Sequence, residues 1–144
     1  MTRQIAAGFG CKRGCELGVL SELLDQTLRQ WGLQRSAIVA IASLDRKADE
    51  PGLVQLAAQL GVPFHTFSAE ALLPFEAQLT HRSAVSHAHT GCHGVAESCA
   101  MALAQASQVP PGAEHSAPAP RARLIAPRQV LPGATLALAT VPSA

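Results

Sequence analysis

Tyrosine is absent from this 144-residue chain, and one Trp with four Phe brings aromatics to only 3%. A surface that stacks unpaired bases on aromatic rings, in the manner of RRM and OB domains, has almost nothing to be built from, so nucleic acid is not an expected partner. No stretch approaches the ~18 consecutive apolar residues of a membrane-spanning helix. The first ten residues run into a glycine turn without the apolar stretch and cleavage site of a signal peptide. A cytoplasmic protein without membrane contact is the expectation. Neither sign of charge dominates: eleven Lys and Arg against ten Asp and Glu leave +1, so any attraction for anions must be local. The redox spacing Cys-x2-Cys is missing too, and Cys11, Cys15, Cys92 and Cys99 read as reduced thiols rather than structural disulfides.

What the chain does have is apolar material, 48% of it, enough for a packed core. Residues 5–9 form a short apolar run that ends among Gly8, Gly10 and Gly14, after which Leu17, Leu20, Leu24 and Leu28 recur at helical spacing. Residues 37–42 are continuously apolar, as in a strand covered on both faces. Asp49, Glu50 and Pro51 then read as capping acids and a first-turn proline for a helix carrying Leu53, Leu56, Ala57 and Leu60, with residues 62–67 as a third strand. A short helix from Ser68 is expected to stop at Pro74, and residues 81–90 read as mostly loop. Another helical stripe starts at Gly94, and residues 110–120, with four prolines, read as a flexible surface loop. Two last runs, 123–126 and 135–141, are separated by too few residues for a crossover helix, so they should pair antiparallel. Together these elements predict one three-layer α/β/α domain over residues 1–144, with a mixed sheet whose last two strands are antiparallel. No internal repeat is present.

Three glycine-opened helix starts carry the chemistry. In Gly8-Phe9-Gly10-Cys11-Lys12-Arg13-Gly14, bare backbone N–H groups and a positive helix end suit an anion, and Lys12 and Arg13 add charge. The spacing matches neither a dinucleotide fingerprint nor a Walker loop, and a plain tight turn explains it equally well. A second loop carries Asp45, Arg46 and Lys47 at the end of the next strand, and the third, Thr90-Gly91-Cys92-His93-Gly94-Val95-Ala96-Glu97, repeats the design. Asp49 and Glu50 are better explained as caps than as catalytic acids. Cys11 beside a helix start and two cations has the setting of a low-pKa thiol, although a small residue packed under a turn fits better. His87, His89, Cys92 and His93 are zinc-type ligands, but their spacing lacks a knuckle, so no metal site is expected.

These three loops, with Phe67-Ser68-Ala69-Glu70-Ala71-Leu72 and the tail pieces Leu124-Ile125-Ala126-Pro127-Arg128 and Thr135-Leu136-Ala137-Leu138-Ala139, resemble in order the family of the CobE protein of vitamin B12 biosynthesis and the C-terminal domain of CbiG. The resemblance implies an α/β domain acting in corrin-ring assembly, with a precorrin-type cyclic tetrapyrrole as ligand and other corrin-biosynthesis enzymes as partners. In CbiG, lactone opening belongs to a longer protein with a preceding part. The motif here begins at residue 8, so a stand-alone binding or handling role is expected ahead of hydrolysis. Arg128 stands where the pattern has Lys, and Cys15 and a longer proline-rich loop are further departures. The expected binding set is then Gly8, Gly10, Cys11, Lys12, Arg13, Gly14, Asp45, Arg46, Lys47, Gly91, Gly94, Glu97 and Arg128, without a cofactor. If the chain is an enzyme, Glu97, Asp45 or His93 supplies the acid or base. Metal delivery through the His-rich loop ranks last.

Overall fold

The computed structural model describes residues 4–84, 88, 93–108 and 122–140. The apolar runs become strands and the leucine stripes become the helices that cover them. In chain order these are β1 (Ile5–Cys11), α1 (Leu17–Gln30), β2 (Ile38–Leu44), α2 (Pro51–Leu60), β3 (Phe64–Phe67), α3 (Ala69–Leu72), α4 (Val95–Gln108), β4 (Arg123–Leu131) and β5 (Ala134–Thr140). The five strands form one sheet in the order β3-β2-β1-β5-β4. β1, β2 and β3 are parallel, while β5 is antiparallel to both β1 and β4, as the short connection required.

The two faces of the sheet differ in residue size. Ile5, Phe9, Ile38, Ile41, Leu136 and Leu138 point to one side, where Leu20, Leu24 and Leu28 of α1 and Leu53 and Leu56 of α2 meet them. The other side presents Ala6, Ala40, Ala42, Ala137 and Ala139 to Ala96, Cys99, Ala100, Leu103 and Ala104 of α4. Small residues on both partners let α4 settle close to the sheet. At Gly8, a Cβ would stand 2.1 Å from the Ala96 carbonyl oxygen and 2.4 Å from the Ala100 nitrogen.

Several expected boundaries move. β4 does not end at Ala126 but continues through Pro127 to Leu131, which shrinks the connection to a turn at Pro132 and Gly133. Proline is tolerated there because β4 is an edge strand and its register slips between Leu124 and Ala126 and again between Ala126 and Gln129. β3 starts at Phe64. The short helix starts from Ser68, whose hydroxyl caps α3 by accepting the Ala71 N–H, and ends at Leu72 ahead of Pro74 as expected. The chain then goes on into a 3₁₀ stretch, Leu73–Gln78, that carries Pro74 in its first turn. Ala84 and Ala88 are helical, so the stretch read as loop contains helical residues. Residues 110–120 lie outside the described residues.

Candidate functional site

The carboxyl ends of β1 and β2 open side by side, and the loops leaving them meet the start of α4 and the β4–β5 turn around a cleft of about 1530 Å³. Ligands of open α/β sheets bind at this edge. Gly10, Cys11, Lys12, Arg13 and Gly14 line it from the first loop, and Arg46 and Lys47 from the second. Gly94 lines it at the start of α4, and Arg128 from β4. Lys12, Arg13 and Arg46 are exposed, and Lys47 and Arg128 are half-buried. The ion pairs among the described residues are Arg35–Asp25, His81–Glu97 and His93–Glu76, none of which involves Lys12, Arg13, Lys47 or Arg128.

Three expected residues stand elsewhere. Gly8 is buried beneath α4, where it permits close packing rather than ligand approach. Asp45 is exposed beyond the cleft lining, and Glu97 is buried behind it. Gly91 lies outside the described residues. Val130 and Leu131 also line the cleft and are absent from the expected set because the run 127–134 reads as a connection, and Thr135, at the head of the last strand-like run, lines it as well. The apolar pair Val130-Leu131 directly before Pro132-Gly133 is the sequence signal that points to them.

The first glycine turn already holds an anion of its own. Gly14, at φ 79°, donates its N–H to Glu50 Oε1 at 2.6 Å across 36 residues of sequence. A left-handed residue there turns the amide toward the second loop, a conformation glycine reaches without strain. Glu50 is the residue before α2, yet its side chain makes no cap bond to that helix. The capping role expected for it is therefore replaced by a clamp between the two loops. The low-pKa setting of Cys11 is not realised either, in line with the preferred reading of a small residue packed under a turn. Helix α1 begins only at Leu17, and burial pushes the thiol up to about 11, with Lys47 opposing and Cys15 and Glu50 adding to the rise. At neutral pH it is a thiol and not a thiolate.

Behind the cleft, Glu97 of α4 is 1% exposed and fully engaged. One oxygen accepts the N–H groups of Thr80 at 2.8 Å and His81 at 3.3 Å, and the other accepts the Arg128 N–H at 3.0 Å and the Thr80 hydroxyl. Burial pushes its carboxyl up, but these donors outweigh it and hold the native value below the usual 4.5. Glu76, despite its own burial, is lowered in the same way by His93. Groups lowered by folding contribute stability that is fully present above their unfolded value and is lost as pH falls through the native one. Thermal melts from neutral pH down to about pH 3 should therefore show a falling midpoint below roughly pH 4.5, and Glu97→Gln should flatten that fall. An unchanged acid profile in the variant would mean that Glu97 carries none of it.

His93 lines the cleft at the start of α4 and is oriented by one carboxylate. Its Nδ1 lies 2.9 Å from Glu76 Oε2, and its backbone N–H donates to Glu76 Oε1 at 3.2 Å. A carboxylate on Nδ1 fixes the ring, the arrangement used to orient a histidine for proton transfer. Of the three acids and bases named from sequence, only His93 faces the cleft. His87, His89 and Cys92 lie outside the described residues, and among the described residues no three metal-type ligands stand together.

Comparison with known proteins gives one family. The family described as "Cobalamin synthesis G C-terminus" matches residues 5–139. The "Cobalt-precorrin-5A hydrolase" of Salmonella typhimurium (strain LT2) is 45% identical over 74 residues, 51% of this chain and 21% of that protein. "Protein CobE" of a Sinorhizobium species is 32% identical over 97 residues, 67% of this chain and 63% of that protein. The chain thus matches a fifth of the first and under two thirds of the second. Among solved structures, "CobE, a protein from the cobalamin (vitamin B12) biosynthetic pathway" superposes with a TM-score of 0.88 at 36% identity, over 100% of this chain and 94% of that one. No helix among the described residues is long and apolar enough to cross a membrane.

Proposed function

The chain belongs to the cobalamin synthesis G C-terminus family of vitamin B12 biosynthesis, and from that premise we propose that its cleft binds an acidic cyclic tetrapyrrole, a precorrin of the corrin pathway. The observation that carries the reading is the cleft itself. It is larger than the roughly 300–1,000 Å³ typical of small-ligand pockets. Five cations, Lys12, Arg13, Arg46, Lys47 and Arg128, line it together with the apolar Val95, Val130 and Leu131. A macrocycle with carboxylate side chains has the matching halves: an apolar ring for the Val and Leu surface, and anions for the rim. The backbone amide at Gly14 is occupied by Glu50, so recognition falls to side-chain cations rather than to the glycine loop as an anion cradle. Handing the ligand to another corrin-biosynthesis enzyme belongs to this same reading.

Absorbance titration with late precorrin intermediates tests it. Lys12→Ala combined with Arg13→Ala should weaken binding by roughly tenfold at low salt and by less at high salt, because exposed cations are screened. Equal affinities of the wild type and the double variant would place the site elsewhere.

A second reading, hydrolysis of the bound tetrapyrrole, is favoured by the Glu76-oriented imidazole of His93 on the cleft wall. Mass spectrometry of the tetrapyrrole recovered from the same titration separates the two. Gain of the mass of water, abolished by His93→Ala, would make the chain a hydrolase. An unaltered ligand would make it a carrier.

A further inference from the structure

Resting on the reading of the cleft as a tetrapyrrole site, we infer that Arg128 is its carboxylate-specific anchor, recognising one ligand carboxylate through the Nε edge of its guanidinium. Arg128 lines the cleft, and its Nε is buried without a hydrogen-bond partner, the single side-chain atom of that kind among the described residues. Buried donors in folded proteins are almost always satisfied, so an orphan on a cleft wall marks a partner that arrives from outside. The exposed Lys12 and Arg13 carry no such mark. Water meets their needs.

The backbone explains how the side chain is held there. The register slip of β4 between Ala126 and Gln129 takes Pro127 and Arg128 out of the regular ladder with β5. Pro127 has no N–H to lose, and the N–H of Arg128 goes to Glu97 Oε2 at 3.0 Å. That carboxylate is itself fixed by Thr80 and His81. Glu97 takes the main chain of Arg128 but forms no ion pair with its guanidinium, which leaves the charge available in a defined place. A guanidinium presents Nε and one Nη as two parallel donors that match the two oxygens of a carboxylate. A lysine ammonium at the same position keeps the charge and lacks the fork.

Two probes test this: uroporphyrin, a polycarboxylated tetrapyrrole, and citrate, a carboxylate without the ring. The Arg128 Nε–H resonance, assigned in 1H–15N spectra by its loss in Arg128→Lys, should move with both. Uroporphyrin affinity should drop roughly tenfold or more in Arg128→Lys. The melting temperature of the ligand-free variant should match or exceed that of the wild type, because no hydrogen bond of the free protein has been removed. A structural arginine would give the opposite pattern, a lower melting temperature with unchanged binding, and that result overturns the inference. Uroporphyrin binding with a stationary Nε resonance and full affinity in Arg128→Lys also overturns it, while leaving the tetrapyrrole reading intact. An Nε signal moved by citrate alone keeps the anchor and removes the tetrapyrrole. Silence toward both probes removes both.

Discussion

Glu97→Ala is expected to lower the unfolding free energy by about 3 kcal/mol, a large part of the stability of an ordinary domain. The carboxylate serves four donors from two segments outside its own helix: Thr80 twice, His81 and Arg128. Methyl replacement leaves the three backbone N–H groups without an acceptor, at about 1–3 kcal/mol for each that stays buried, while the Thr80 hydroxyl keeps His81 Nδ1 at 2.7 Å. The total falls short of the sum because Thr80 and His81 are exposed, so water reaches their amides once the carboxylate is gone. The Arg128 N–H, in the half-buried bulge, carries most of the loss. Urea unfolding at neutral pH checks this, read as a shift of midpoint at constant slope. A loss under about 1 kcal/mol would show that the bulge and the 80–81 segment hold themselves in place.

Gly8→Ala should destabilise by about 3 kcal/mol or more, although it adds one methyl group. Its neighbours at 2.1 Å and 2.4 Å are the backbone of α4 at Ala96 and Ala100, and a backbone cannot rotate away as a side chain can. The helix would have to lift off β1, opening gaps along the whole alanine-lined interface with Ala6, Ala137 and Ala139. Because α4 begins at the cleft, the lift also displaces the start that carries Val95 and Ala96. A variant with unaltered melting temperature would mean that the helix sits farther from the strand than these contacts state.

The alternation of large and small residues explains how much of this architecture could be read in advance. The leucines of α1 and the apolar run of β2 report burial directly, and the structure places both as their periods demand. The Gly-x-Gly pattern was ambiguous, since a glycine that admits a ligand and one that admits a helix look identical in a single strand. Gly8 is the second kind. Glu50, read as a local cap, and Glu97, read as a binding or acid–base residue, depart from their readings for a related reason: each stands in a helix start, and its sequence neighbours do not show where its side chain goes. Their partners lie at Gly14, 36 residues away, and at Thr80 and Arg128, 17 and 31 residues away. Local pattern carries no trace of such partners. Pro127 disguised the second half of β4, because proline ends most strands and only an edge position beside a bulge admits it.

The placement of β5 between β1 and β4 has a kinetic consequence. Thr140 and Gln4 are bonded across 136 residues of sequence, and β1 meets β5 along the registers from Ala6 with Ala139 to Cys11 with Ala134. The β4–β5 hairpin and the β1–α1–β2 unit are each local and quick to form, whereas joining them closes a very long loop, whose entropy must be overcome before the contact rewards it. The cleft exists only after that closure, since the Lys12 N–H reaches the Gly133 carbonyl at 2.9 Å across the same seam. A half-assembled chain therefore has no binding edge to offer. Ligand recognises the finished fold alone and, by mass action, draws the folding equilibrium toward it.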